Sequence, residues 1–151
     1  MRFGDVIGTL ERAFNLELKV VEDTTVFEVA GEDGGTTVKV LVQNADERKL
    51  VLISADLGEL PPGGGEKLLR VMLEANNLFS GTAGATLALD AASGRVRLQK
   101  YVSHDDVAVD VEASIVSFIE TALFWSRTIA DFRPEADEGQ ASFEDFRMMQ
   151  V

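Results

Sequence analysis

The sequence predicts an α+β domain: an antiparallel five-stranded sheet with three helices, in the order α-β-β-β-α-β-β-α. Three observations lead there. Runs rich in β-branched and aromatic residues are joined by turns too short for a parallel crossover. Three other segments repeat apolar residues at helical spacing. With 151 residues, 46% of them apolar, the chain has the size of one domain and the material for one core.

The first helix is predicted over residues 2–14, where Phe3, Val6, Ile7, Leu10 and Phe14 share one face and Asp5, Glu11 and Arg12 take the other. Residues 16–21 read as a short extended piece. Three strand-like runs follow at 24–30, 36–43 and 49–55. In the second, Val38, Val40 and Val42 alternate with Thr37, Lys39 and Leu41, the period of a strand. The glycines of 31–35 suit one reversal and the polar residues 44–47 the next, so the three runs form a meander.

Pro61-Pro62-Gly63-Gly64-Gly65 is the sharpest break, read as a loop inside one domain because neither flank has enough elements to close a core. A second helix is predicted over 66–77, with Leu68, Leu69, Met72 and Leu73 as its stripe and Val71 and Ala75 widening it. Strands at 83–89 and 95–102 are joined by the hairpin signal of residues 90–94. The last helix is predicted over 106–132, capped by Asp105 or Asp106. Its stripe is Ile115, Phe118, Ala122, Trp125, Ile129 and Phe132, and Arg133-Pro134 ends it. Residues 1–132 form the predicted domain. Residues 133–151 are predicted to be an acidic, mobile tail in which Phe143, Phe146 and Met149 suit a short docking helix.

Composition narrows the function. There is no cysteine, which excludes disulfides, thiolate metal sites and a cysteine nucleophile. The formal charge of −12, from 26 acidic and 14 basic residues, repels phosphate backbones and anionic lipid, so neither nucleic acid nor membrane is the expected partner. No run approaches the roughly 18 apolar residues of a membrane span. Residues 1–18 carry Arg2, Asp5, Glu11 and Arg12, which break up a signal-peptide core, and a cytoplasmic location is the expectation.

Catalytic signatures are lacking. His104 is the one histidine, and adjacent Asp105 and Asp106 rarely converge with it on a metal. Gly63-Gly64-Gly65-Glu66-Lys67 lacks the spacing of a phosphate-binding loop. Gly81-Thr82-Ala83-Gly84 precedes a strand, so it offers no helix N-terminus to a pyrophosphate. The expectation is a protein without catalytic residues, cofactor or metal. What remains is apolar surface: helices cover one sheet face, and the other meets water, a second subunit or a partner.

Several blocks together resemble a known family. They are Ile53-Ser54-Ala55-Asp56-Leu57-Gly58-Glu59-Leu60-Pro61, then Leu68 to Asn76, then Gly81-Thr82-Ala83-Gly84-Ala85-Thr86-Leu87-Ala88-Leu89-Asp90 with Gly94-Arg95-Val96, and finally Phe118-Ile119-Glu120-Thr121-Ala122 followed by Trp125. They resemble the CesT/Tir-type class I chaperones of type III secretion, over about residues 1–132. The resemblance implies a non-enzymatic homodimer that holds the extended N-terminal segment of a secreted effector in a secretion-competent form. It implies a dimer interface at Leu69, Met72 and Leu73, with Leu87 and Leu89 beside them. It implies partner contact at Phe3, Ile7, Val26, Val38 and Val40, with strand addition at the sheet edge. The alternative is a YbjN-like regulatory or protein-binding module of the same fold without a secretion role.

Overall fold

The computed structural model describes residues 1–133. The expectations for the tail, Phe143, Phe146 and Met149 among them, lie outside the described residues. The elements are α1 (Phe3–Phe14), β1 (Thr24–Ala30), β2 (Thr37–Ala45), β3 (Leu50–Glu59), α2 (Gly65–Asn76), β4 (Thr86–Asp90), β5 (Arg95–Ser103) and α3 (Ala108–Asp131). Every strand pair is antiparallel, in the spatial order β1-β2-β3-β5-β4. The predicted element order and fold class hold.

Local chemistry explains the ends of α1. The Asp5 carboxylate in its first turn accepts the Arg2 N–H at 3.2 Å. Asn15 closes it in the left-handed region (φ 52), which asparagine tolerates, and its N–H bonds to the Glu11 carbonyl. Aspartates shape the hairpins too. Asp33 Oδ1 accepts the N–H groups of Gly35 and Thr36, and Asp90 Oδ1 accepts that of Ala92.

Four boundaries differ from the sequence expectations. Residues 16–20 form no strand, and Val21 makes only a single bridge to Thr24. β4 begins three residues late because Ala83 and Gly84 turn with positive φ. β3 continues to Glu59 through a bulge between Asp56 and Gly58. Neither Asp105 nor Asp106 caps α3. The Asp106 carboxylate turns back to accept the Ser103 N–H at 2.9 Å, and Val107 takes the cap position without a side-chain bond.

The core lies on one face of the sheet. α3 crosses β2, β3 and β5, and α1 packs on α3. Val40, Ala55, Leu98 and Leu87 form one row of direct cross-strand neighbours, all buried. Phe118, Ile115, Ala122 and Trp125 descend on the sheet from the predicted α3 stripe, and all are buried. Each large apolar side chain so buried contributes about 1.5–3 kcal/mol. α2 lies beside β4 and buries Leu68, Val71, Met72 and Ala75.

Candidate partner-binding surfaces

The face of the sheet opposite the core carries a regular pattern. Glu28, Lys39, Asp56 and Arg97 are direct neighbours across β1, β2, β3 and β5, so charge alternates in sign along the row. Opposite charges facing across strands each contribute roughly 0.2–1 kcal/mol. The next row runs Val26, Leu41, Ser54, Gln99 and Thr86. Its apolar end lies at β1, where Val26 is 51% exposed.

The bulge organises the other end of this face. Residues three apart in a strand point to opposite sides. The extra residue, Leu57, shifts the register so that Asp56 pairs with Arg97 while Glu59 pairs with Arg95. Both carboxylates then meet one guanidinium. Arg95 Nε donates to both Asp56 oxygens at 3.0 and 2.8 Å, and Nη1 donates to Glu59 at 3.4 Å. Arg97 donates to Asp90 at 3.1 Å. Partial burial raises the pKa of Asp56. The bonds from Arg95 and the Gly58 N–H, with the charges of Arg95 and Arg97, outweigh it and hold the carboxyl below its ordinary value. The Asp33 carboxyl also lies low, chiefly through the Thr36 hydroxyl and N–H, and that of Asp90 through Ser93 and Ala92.

A second surface is apolar. Leu73 on α2 is 70% exposed and Leu78, in the turn after it, is 88% exposed. Phe79 and Leu89 are exposed nearby in sequence and topology, on the turn and on β4. Leu78 and Phe79 both have positive φ, which for a non-glycine residue costs roughly 1–2 kcal/mol. Two large apolar side chains thus stand in water on a strained turn. That turn is held from behind: the Gly81 N–H bonds to the Ala75 carbonyl, and Trp125 Nε1 bonds to the Gly81 carbonyl.

The residues singled out from the sequence divide between core and surface. For the dimer, Leu73 and Leu89 are exposed and Leu69 is half-buried, whereas Met72 and Leu87 are core. For the partner, Val26 is exposed and Phe3 half-buried. Val38, Val40 and Ile7 are corrected to core positions: all three are buried, Val40 fully so, and Ile7 keeps only a sliver of surface. The strand alternation left two faces open, and on β2 the expectation took the helix-covered one for the exposed one, while on β1 it named Val26 of the exposed face. Leu78 and Phe79 were overlooked because they follow the predicted helix end. Large apolar residues in a polar turn were the available signal. The charge row was hidden because register, not sequence, brings it together.

No group of three or more histidine or acidic side chains gathers in a metal-holding arrangement among the described residues. His104 is pinned through its backbone N–H to the Lys49 carbonyl, and its buried Nε2 has no hydrogen-bond partner. No helix among the described residues is long and apolar enough to cross a membrane. What these surfaces offer chemically is an alternating charge row and exposed apolar side chains, both suited to contacts with another polypeptide.

A sequence model of the Tir chaperone protein (CesT) family matches residues 9–126. A Chlamydia pneumoniae protein, CPj0713/CpB0740, is 35% identical over 85 residues, covering 54% of this chain and 63% of that protein; the chain thus spans less than two thirds of that relative's length. Three solved structures share the fold at low identity. A chain of the ExsC–ExsE complex superposes with a TM-score of 0.59 at 18% identity, covering 84% of this chain and 92% of that one. A chain of the HopA1–SchA chaperone–effector complex gives 0.56 at 16%, covering 84% and 98%. A chain of the heterodimeric ExoU–SpcU complex of the Pseudomonas aeruginosa type III secretion system gives 0.58 at 21%, covering 84% and 97%.

Proposed function

The chain belongs to the Tir chaperone protein (CesT) family, and from that premise we propose that it is a non-enzymatic, cytoplasmic chaperone. It acts as a homodimer that binds the extended N-terminal segment of a secreted effector and keeps it secretion-competent. The observation that carries this reading is the family match over residues 9–126, which spans from α1 to Ser126 in α3. Similarity to chains of a chaperone–effector complex and of a type III secretion complex supports the same kind of partner.

The surfaces fit that work. A chaperone that keeps a segment extended needs backbone groups to pair with and apolar sites for alternate side chains, without a closed pocket. The outer strand β1, with Val26 exposed and Phe3 half-buried on α1, suits the effector segment. Leu73, Leu78, Phe79 and Leu89, flanked by Leu69, suit the second copy, because burying them removes an apolar patch from water.

Co-expression with a candidate secreted effector is the direct test. The expected complex holds two copies of this chain and protects an N-terminal effector segment from protease while that segment stays non-helical by circular dichroism. A monomeric chain at micromolar concentration, or a partner bound only through a folded domain, overturns the reading and favours a regulatory binding module.

A further inference from the structure

The chain between α1 and β1 ends in a hairpin turn. Val21 and Thr24 exchange both backbone bonds, at 2.9 and 3.0 Å, and the two residues between them, Glu22 and Asp23, have φ of 50° and 59°. Two central residues in the left-handed region make the turn type I′, the form whose twist matches a continuing two-stranded ladder. Yet the ladder stops after that one bridge.

The turn fixes how the ladder would continue. Counting on from Val21 and Thr24 sets Val20 against Thr25, Lys19 against Val26, Leu18 against Phe27 and Glu17 against Glu28. The faces already agree. Leu16 and Leu18 are half-buried against the core to which Phe27 belongs, while Glu17 and Lys19 are exposed, as are Val26 and Glu28. The backbone of β1 agrees as well. The bonds from Asn44 N–H to Asp23 and from Gly31 N–H to Thr36 set odd-numbered β1 residues against β2, so Val26 and Glu28 aim their groups away from the sheet.

Two features hold the segment off. The Lys19 carbonyl, which the next pair of bonds would use, accepts the Thr25 hydroxyl at 2.9 Å. The ladder would also set Glu17 directly against Glu28. Directly opposite side chains lie about 4.5–5.5 Å apart, where like charges destabilise, whereas Lys19 would be a diagonal neighbour of Glu28 at about 7–8 Å. Repulsion at the shorter distance exceeds attraction at the longer one. Lys39, across from Glu28 on β2, is shared with Asp56. Meanwhile the Leu18 N–H donates to Glu11 Oε1 at 3.3 Å, which tethers the segment to α1.

We propose that residues 16–20 are a strap poised to close on β1 as a sixth strand, and that repulsion between Glu17 and Glu28 holds it one bridge from closing. Closed, the strap takes up the outward groups of Val26 and Glu28, and β1 is no longer an outer strand open to unwanted pairing. Charge at one pair of positions thus sets whether the sheet has a free edge on this side. The device lies within one chain, so it stands or falls apart from the chaperone reading.

NMR on the full chain without any partner tests it. Glu17→Gln removes the repulsion and Glu17→Lys turns it into attraction. Amide-exchange protection of Val26 and Glu28 is expected to rise in the order wild type, Glu17→Gln, Glu17→Lys, by at least about tenfold from first to last. Ala30 would face Asn15, the cap of α1 beyond the strap, and is expected to keep its wild-type rate. Glu17→Lys is expected to show an Hα–Hα cross-peak between Leu18 and Phe27, a non-hydrogen-bonded pair in the closed register with Cα atoms about 4.5 Å apart. Salt at about 1 M, where the screening length is about 3 Å, is expected to raise protection in the wild type and lower it in Glu17→Lys. Equal protection in all three proteins, or a rise without the Leu18–Phe27 cross-peak, overturns the strap. Salt that moves the wild type and Glu17→Lys in the same direction overturns repulsion as what holds it open.

Discussion

The indole N–H of Trp125 donates to the carbonyl oxygen of Gly81 at 2.9 Å, joining the C-terminal part of α3 to the segment between α2 and β4. Trp125 itself is fully buried, and its bond ties down the segment that also carries Leu78 and Phe79. Replacing Trp125 by Phe keeps most of the ring and leaves the Gly81 carbonyl without that donor. A loss of about 1–3 kcal/mol is expected in urea unfolding, with faster amide exchange over residues 78–84. Equal exchange in the two proteins would mean that packing, not the bond, holds the turn.

Charge placed on α2 and on the turn after it separates core from surface. Leu73→Asp and Phe79→Asp are expected to leave the melting transition within about 0.5 kcal/mol and to abolish the proposed dimer. Met72→Asp is expected to unfold the chain, because Met72 is buried and an unpaired carboxylate there is costly. Light scattering and denaturant titration on the same samples distinguish the two outcomes.

Val26 and Val40 form a second pair, on opposite faces of adjacent strands. Val26→Asp is expected to fold normally and to weaken binding of the proposed effector segment at least about tenfold, as calorimetry would measure. Val40→Ala removes buried atoms at the centre of the sheet and is expected to cost about 1–3 kcal/mol without a specific effect on binding. Equal binding by Val26→Asp and wild type would move the partner off β1.

Acid stability tests the Arg95 junction. The Asp56 carboxyl lies below its ordinary value in the folded chain. A depressed carboxyl stabilises the fold above its unfolded pKa, about 4, and that contribution disappears as pH falls through the folded value. Asp56→Asn is therefore expected to lower the urea midpoint at pH 7 and to flatten its fall below about pH 4. A parallel pH profile for wild type and variant would show that Arg95 does not favour the charged form.

Much of the fold was legible because local signals agreed. The α3 stripe from Ile115 to Phe132 follows one face of a helix, and all six of its residues are buried. The turn at residues 90–94, with Asp90 accepting the Ala92 N–H and Gly94 at φ 71, matches its hairpin signal. The α2 stripe was less legible. Its apolar arc is wider than the core needs, and only packing against the rest of the chain shows that Leu68, Val71, Met72 and Ala75 face inward while Leu73 does not.

By itself, the sequence determined the element order and the antiparallel class, because helical and strand periods and turn residues act over a few positions along the chain; the family resemblance rested on residue blocks such as Ile53 to Pro61 and Gly81 to Asp90. Tertiary structure alone decided which face of β1 and β2 is core, since alternation has two equivalent sides until α3 covers one of them. It also decided the β3 bulge that brings Asp56 and Glu59 to Arg95, and the pair of bonds between the Asn76 carboxamide and the backbone of Leu87. These contacts join residues far apart in the chain, and register and packing, not local propensity, bring them within a hydrogen bond of one another.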